Sequence, residues 1–81
     1  MKYPIAIEPG DEDHAWGVVV PDLPGCFAAA DSGIDEAIEN AKEAIAAWIE
    51  TVMDEGGDIP APTRIEAHRA NPEFAGWIWA V

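Results

Sequence analysis

Trp16-Gly17-Val18-Val19-Val20-Pro21-Asp22-Leu23-Pro24-Gly25-Cys26-Phe27, followed a few residues later by the acidic amphipathic stretch Ile34 to Glu55, decides how this chain folds. The β-branched run ending at Val20 suits a pleated strand, and Pro21, with no N–H to give to a ladder, stops it. In Asp22-Leu23-Pro24-Gly25, Pro24 holds φ at about −65° in the second turn position and Gly25 supplies the positive φ of the third position of a type II turn. The chain is thereby returned along itself through Cys26-Phe27-Ala28-Ala29-Ala30. After Asp31-Ser32-Gly33 the period changes: Ile34, Ile38, Ala41, Ile45, Trp48, Ile49 and Val52 recur at three- and four-residue steps, with Asp35, Glu36, Glu39, Lys42, Glu43 and Glu50 largely between them. Ser32 or Gly33 caps the start and Gly56-Gly57 the end, giving a helix of about 22 residues and ~33 Å, long enough to cross a small sheet.

At the front, Tyr3, Ile5 and Ile7 alternate with Pro4, Ala6 and Glu8; at the end, Trp77, Trp79 and Val81 alternate with Gly76, Ile78 and Ala80. The expected order is β-β-β-α-β in the α+β class: a three-stranded antiparallel meander plus a C-terminal strand, with one long helix on the sheet. Between helix and last strand, Asp58-Ile59-Pro60-Ala61-Pro62 reads as an extended connector. Thr63 is placed to cap a short helical turn from Ile65 to Ala70, closed by Asn71-Pro72.

Both faces of this sheet carry apolar side chains. Trp16, Val18 and Val20 point one way and Val19 the other, while Trp77 and Trp79 oppose Ile78. One helix covers one face, so the second face, or the edge made by the last strand, is expected to meet a partner or another copy of the chain. The alternative is that the segment from Pro60 to Asn71 folds over it.

At 81 residues the chain is one domain, near the lower size at which an apolar core alone sustains a fold. It shows no apolar run long enough for a membrane span and no signal-peptide pattern at its start, so a cytoplasmic protein without a membrane partner is expected. The single cysteine, Cys26, cannot form an internal disulfide and reads as packing. Sixteen acidic against four basic residues give a formal charge of −12. Phosphate backbones would repel such a chain, which excludes direct nucleic-acid binding and favours fast encounter with a basic protein, such as one that itself binds RNA or DNA. Solubility is the plainer use of the same charge.

The residues that look chemical are Asp22, Asp31 and the cluster Asp11-Glu12-Asp13-His14. Two-metal phosphodiester chemistry needs several carboxylates converging on ions. The simpler roles are a turn residue for Asp22, a helix-start carboxylate for Asp31 and a solvated hairpin loop for 11–14. His68 has no evident partner. No Ser/His/Asp arrangement, phosphate loop or paired-cysteine zinc spacing is present. No metal site, catalytic residue or cofactor is expected.

Lys2-Tyr3-Pro4 opening a strand, the stretch Trp16 to Phe27, and Ile34-Asp35-Glu36-Ala37-Ile38-Glu39-Asn40-Ala41-Lys42-Glu43-Ala44-Ile45 together resemble the N-terminal domain of HicB antitoxins of bacterial toxin–antitoxin pairs. The resemblance covers nearly the whole chain. It implies a partly degraded RNase H-like fold without nuclease activity, over residues 1–81, that binds the small basic HicA toxin, an mRNA-cleaving RNase, and blocks its access to RNA. Full-length family members usually add a C-terminal ribbon-helix-helix or helix-turn-helix segment that represses their operon. Nothing in these residues matches it, so operator DNA is expected to be reached only through a segment outside them, and the ending in mid-strand is what its removal would leave. The family usually has Thr or Ser where Gly33 stands. Within this resemblance, Asp11, Glu12, Asp13 and Asp22 are expected to face toxin lysines and arginines, with Trp16 or Trp77 as an apolar anchor, and the protein is expected to form a dimer or higher oligomer. A stand-alone dimeric binding module and an RNase H-like nuclease using Asp22, Asp31 and helix carboxylates are the alternatives.

Overall fold

The computed structural model describes residues 2–81. Strands β1 (Ile5–Glu8), β2 (Trp16–Val19) and β3 (Phe27–Ala30) precede helix α1 (Ile34–Asp54), and β4 (Ile78–Ala80) follows two single-turn 3-10 segments, Ile65–Ala67 and Pro72–Phe74. All pairings are antiparallel, in the order β3-β2-β1-β4. The α+β class and the β-β-β-α-β order are therefore as expected, and the last strand closes on β1 from the far side of the meander.

The turn after β2 has the geometry its residues dictate. The Cys26 N–H donates to the Leu23 carbonyl at 3.0 Å across Pro24 and Gly25, and Gly25 has φ 80°. A second turn precedes it, with the Leu23 N–H donating to Val20 at 3.0 Å. The doubled turn tucks Leu23 wholly out of water, a burial worth roughly 2 kcal/mol.

Gly33 occupies the cap position of α1 with φ 124° and offers no side-chain bond. Glu36 supplies the missing contacts by reaching back, accepting from the Asp31 N–H and the Ser32 hydroxyl at 2.8 Å each, a variant of the capping box. At the other end the Gly56 N–H bonds the Met53 carbonyl and the Gly57 N–H the Val52 carbonyl, the Schellman pattern. Thr63 does not cap the following turn as anticipated. Arg64 holds that position without a side-chain bond, and Thr63 turns its hydroxyl to Asp22 instead.

Register assigns the faces. Ile5, Ile7, Val18 and Ala30 share one face with Tyr3, Val20 and Cys26, and with Ala37 and Ala41 of α1 they make the core. The helix lies mainly over β3 and β2 and only grazes β1. On the opposite face Ala6 pairs with Val19 and with Trp79. Much of that face is covered by the chain itself, which corrects the expectation of an open second face. Buried Phe74 meets Trp77 and Trp79 edge to face at 5.2 and 5.6 Å, and the His68 ring stacks on Trp79 at 6.1 Å. The covering piece runs past Asn71 to Phe74, because Asn71 accepts from the Glu73 N–H and starts a further turn that drives the phenyl ring inward.

Candidate partner-binding surface

The β1–β2 loop is built on Asp11. Its carboxylate accepts the N–H groups of Asp13 and His14 at 2.8 Å each and lies 3.0 Å from His14 Nδ1, while its own N–H donates to the His14 carbonyl at 2.9 Å. The His14 side chain and then the Asp13 N–H lower the Asp11 pKa, so the loop stays charged. Gly10 is pressed against Trp16: a side chain there would come within 2.6 Å of Trp16 Cδ1 and 2.7 Å of the His14 carbonyl oxygen. These contacts shape the loop, with Glu12 and Asp13 exposed and Gly10 lying against the Trp16 indole.

The register gathers further acids at this end of the sheet. Glu8 lies opposite Gly17, Asp31 follows the Ala30 that pairs with Trp16, and Asp35 opens α1. None of the four Lys and Arg residues is in the hairpin loop, the β3–α1 turn or the first two turns of the helix. Trp77 immediately precedes β4, whose Ile78 pairs with Ile7, so this half-buried indole stands at the same end. Asp11, Glu12, Asp13, Trp16 and Trp77 thus lie at one end of the sheet.

Asp22 lies at the other. Its oxygens accept from the Thr63 N–H and hydroxyl at 2.7 Å each and one lies 3.1 Å from His68 Nε2, with 5% of the side chain exposed. Burial alone would raise its pKa, but the two Thr63 bonds and the imidazole outweigh it and hold the group below the usual carboxylate value. Asp22 ties the connector to the β2–β3 turn. Tyr3 adds a second tie, its hydroxyl donating to the Pro60 carbonyl at 2.6 Å.

Asp22 and Asp31 sit at opposite ends of the sheet, the reverse of the convergence a two-metal site needs. Among the described residues no group of three or more His, Cys, Asp or Glu side chains is placed to hold a metal ion. Burial raises the Cys26 thiol pKa, as for an inert packing residue. The arrangement suits contact with a positively charged macromolecule.

Two features escaped the sequence. Phe27, in edge strand β3, is 64% exposed, and a groove of about 370 Å³ opens between it and α1. A second apolar groove, of about 450 Å³, lies between α1 and the start of β1, beside the exposed Val81. The only signal for either was an apolar helix stripe wider than the strands beneath it.

The model of the HicB-like antitoxins of bacterial toxin–antitoxin systems matches residues 3–81. The chain belongs to this family. It is 41% identical over all 81 residues to an uncharacterized 14.9 kDa protein from the rep–hol intergenic region of Haemophilus phage HP1, of which it spans 59%. It is also 45% identical over 60 residues to a UPF0150 protein of Thermoplasma acidophilum, covering 74% of this chain and 84% of that protein. Among solved structures, the N-terminal domain of the Burkholderia pseudomallei antitoxin HicB superposes with TM-score 0.82 at 38% identity, covering 99% of this chain and 93% of that one. A chain of a HicA3–HicB3 toxin–antitoxin complex superposes with TM-score 0.80 at 31% identity, with the same coverages. In this HicB-like chain, as the register shows, the family's turn-and-helix motif builds the meander and core, while the charged end is carried by the β1–β2 loop. No helix among the described residues is long and apolar enough to cross a membrane.

Proposed function

We propose that this HicB-like chain binds and neutralises a small basic HicA-type RNase by covering its RNA-binding and active surface. The observation that carries the proposal is the acidic end of the sheet, where Asp11, Glu12 and Asp13 project from a fixed loop beside Trp16 and Trp77, with no Lys or Arg among them. An RNase that holds RNA must present cations, and carboxylates on a loop already shaped by the Asp11 bonds compete for them. Complementary charge accelerates encounter, and a desolvated indole slows release. Family membership and the related HicA3–HicB3 complex support the choice of partner. In this reading Asp22 acts indirectly, by holding the connector. The chain works in the cytoplasm, without a cofactor and without catalysis, and operator DNA is contacted only through a C-terminal segment outside these residues.

The test is RNA cleavage by the cognate HicA-type RNase, with the chain titrated in. Cleavage that stops near equimolar antitoxin supports the proposal. Undiminished cleavage at a large excess of antitoxin refutes it. A stand-alone dimeric module is the second reading, favoured by the exposed Val81 that lines the apolar groove of α1 and β1 and by the exposed Ile78 in the same strand region.

A further inference from the structure

Strand β3 is an edge, and its outward backbone is unusually open. The Ala29 carbonyl accepts from Asn40 Nδ2 at 2.8 Å, so Ala29 turns its backbone away from β2. In an antiparallel strand N–H and C=O of one residue point the same way and alternate along the chain. The Ala29 N–H and both polar groups of the Phe27 backbone therefore also face outward, and no bond among the described residues engages them. Cys26 points inward, its carbonyl accepting from the Val20 N–H at 3.1 Å.

Natural edges are usually blunted by lysine, proline or a bulge. β3 reads Phe-Ala-Ala-Ala, with no charge, no proline and, past Phe27, side chains too small to screen the backbone. Phe27 stands beside the groove formed with Ala44, Trp48 and Val52 of α1. The outer lip is acidic: Glu43, Glu50 and Asp54 follow Asn40 and Ala47 at three- and four-residue steps, all exposed, and Glu55 lines the groove end. Lys42 projects from another side of the helix, roughly 140° round from Ala47 at 3.6 residues per turn.

We infer that the β3 edge accepts an extended, basic segment of the protein partner as a fifth strand, with an apolar side chain of that segment against Phe27 and its cations over Glu43, Glu50 and Asp54. The inference rests on the antitoxin reading and adds to it a backbone-mediated anchor. Main-chain bonds to Phe27 and Ala29 supply affinity and the acidic lip selects a cationic strand. The Asn40 amide already holds the one acceptor nearest the helix, so the added strand enters from the Phe27 end.

Residue-resolved amide exchange, free and with the cognate HicA-type RNase bound, tests it. Alone, the amides of Phe27 and Ala29 exchange fast while that of Ala28, in the ladder to β2, is protected. On complex formation the first two should slow at least tenfold. Ala29→Pro removes only an outward donor and Phe27→Asp places a charge in the contact, and each should weaken binding by tenfold or more. A complex in which the Phe27 and Ala29 amides exchange unchanged and Phe27→Asp binds normally overturns the strand addition and leaves the antitoxin reading standing. Failure of the unaltered chain to bind overturns both.

Discussion

The Asp22 carboxylate lies 3.1 Å from Nε2 of His68, across a chain separation of 46 residues. The same carboxylate holds Thr63 by its N–H and its hydroxyl. These bonds fasten the connector to the β2–β3 turn. The His68 ring in turn stacks on Trp79 and shields the second face of the sheet.

This clamp sets a pH dependence. The Asp22 pKa is depressed in the folded chain, so its contribution is fully present above the unfolded carboxylate value of about 3.9 and is lost as pH falls through the lower folded value. Urea titrations should show Asp22→Ala destabilised by about 2–3 kcal/mol at pH 7, as for lost bonds to a buried charged group. The gap to the parent should begin to narrow below about pH 4, where the unfolded chain takes up the proton, and close as pH falls through the lower folded value. A gap constant from pH 7 to pH 2 would remove Asp22 as the group responsible.

Gly33 opens the helix at φ 124°, a region side chains seldom enter. Gly33→Ala should cost about 1–2 kcal/mol, even though a methyl group there meets nothing within 4 Å. Thermal unfolding by circular dichroism measures it, and an unchanged or raised midpoint would mean that the turn relaxes into an ordinary cap.

Phe74 joins Trp77 and Trp79 in the cover over the second face. Phe74→Ala should cost about 3 kcal/mol, a large part of what a domain of this size holds in reserve. Tryptophan emission should shift to the red before global unfolding, as the two indoles become wet. Emission that moves only with global unfolding would show that the cover does not come away separately.

Replacing Asp11, Glu12 and Asp13 together by Asn, Gln and Asn should slow association with the basic partner by about tenfold at low salt, with the difference closing as salt approaches 0.5 M and the Debye length falls to ~4 Å. Stopped-flow association rates report it directly. Since Asp11 also holds the loop through its carboxylate, Glu12→Gln with Asp13→Asn alone separates charge from loop shape. An on-rate indifferent to all of these would take the loop out of the encounter.

The strand–turn–strand–helix unit was legible because each of its signals is local. Pro21 stops β2, Pro24-Gly25 makes the turn, and Gly56-Gly57 ends the helix within a residue of the expected place. The two-sided apolar pattern of Val19 and Trp79 pointed to a face met by a partner, whereas the chain itself covers much of it. That cover needs Phe74 and His68, whose partners are Trp79 and Asp22, and no local period encodes such a pairing. From sequence Asp22 reads as a turn residue or a contact for toxin cations for the same reason: Thr63, which occupies its carboxylate, lies 41 residues away. The acidic end was half visible, since Asp11 to Asp13 are consecutive, whereas their neighbourhood with Trp77 follows only from β4 pairing with β1.

The measurement that bears most directly on the central claim is co-expression of these 81 residues with the cognate HicA-type reading frame, scored by growth, RNA integrity and co-purification against that frame alone. Growth arrest with RNA decay is expected from the basic protein alone, and restored growth, intact RNA and a stable complex when this chain is present. A toxic RNase that this chain neither binds nor restrains would contradict the antitoxin role.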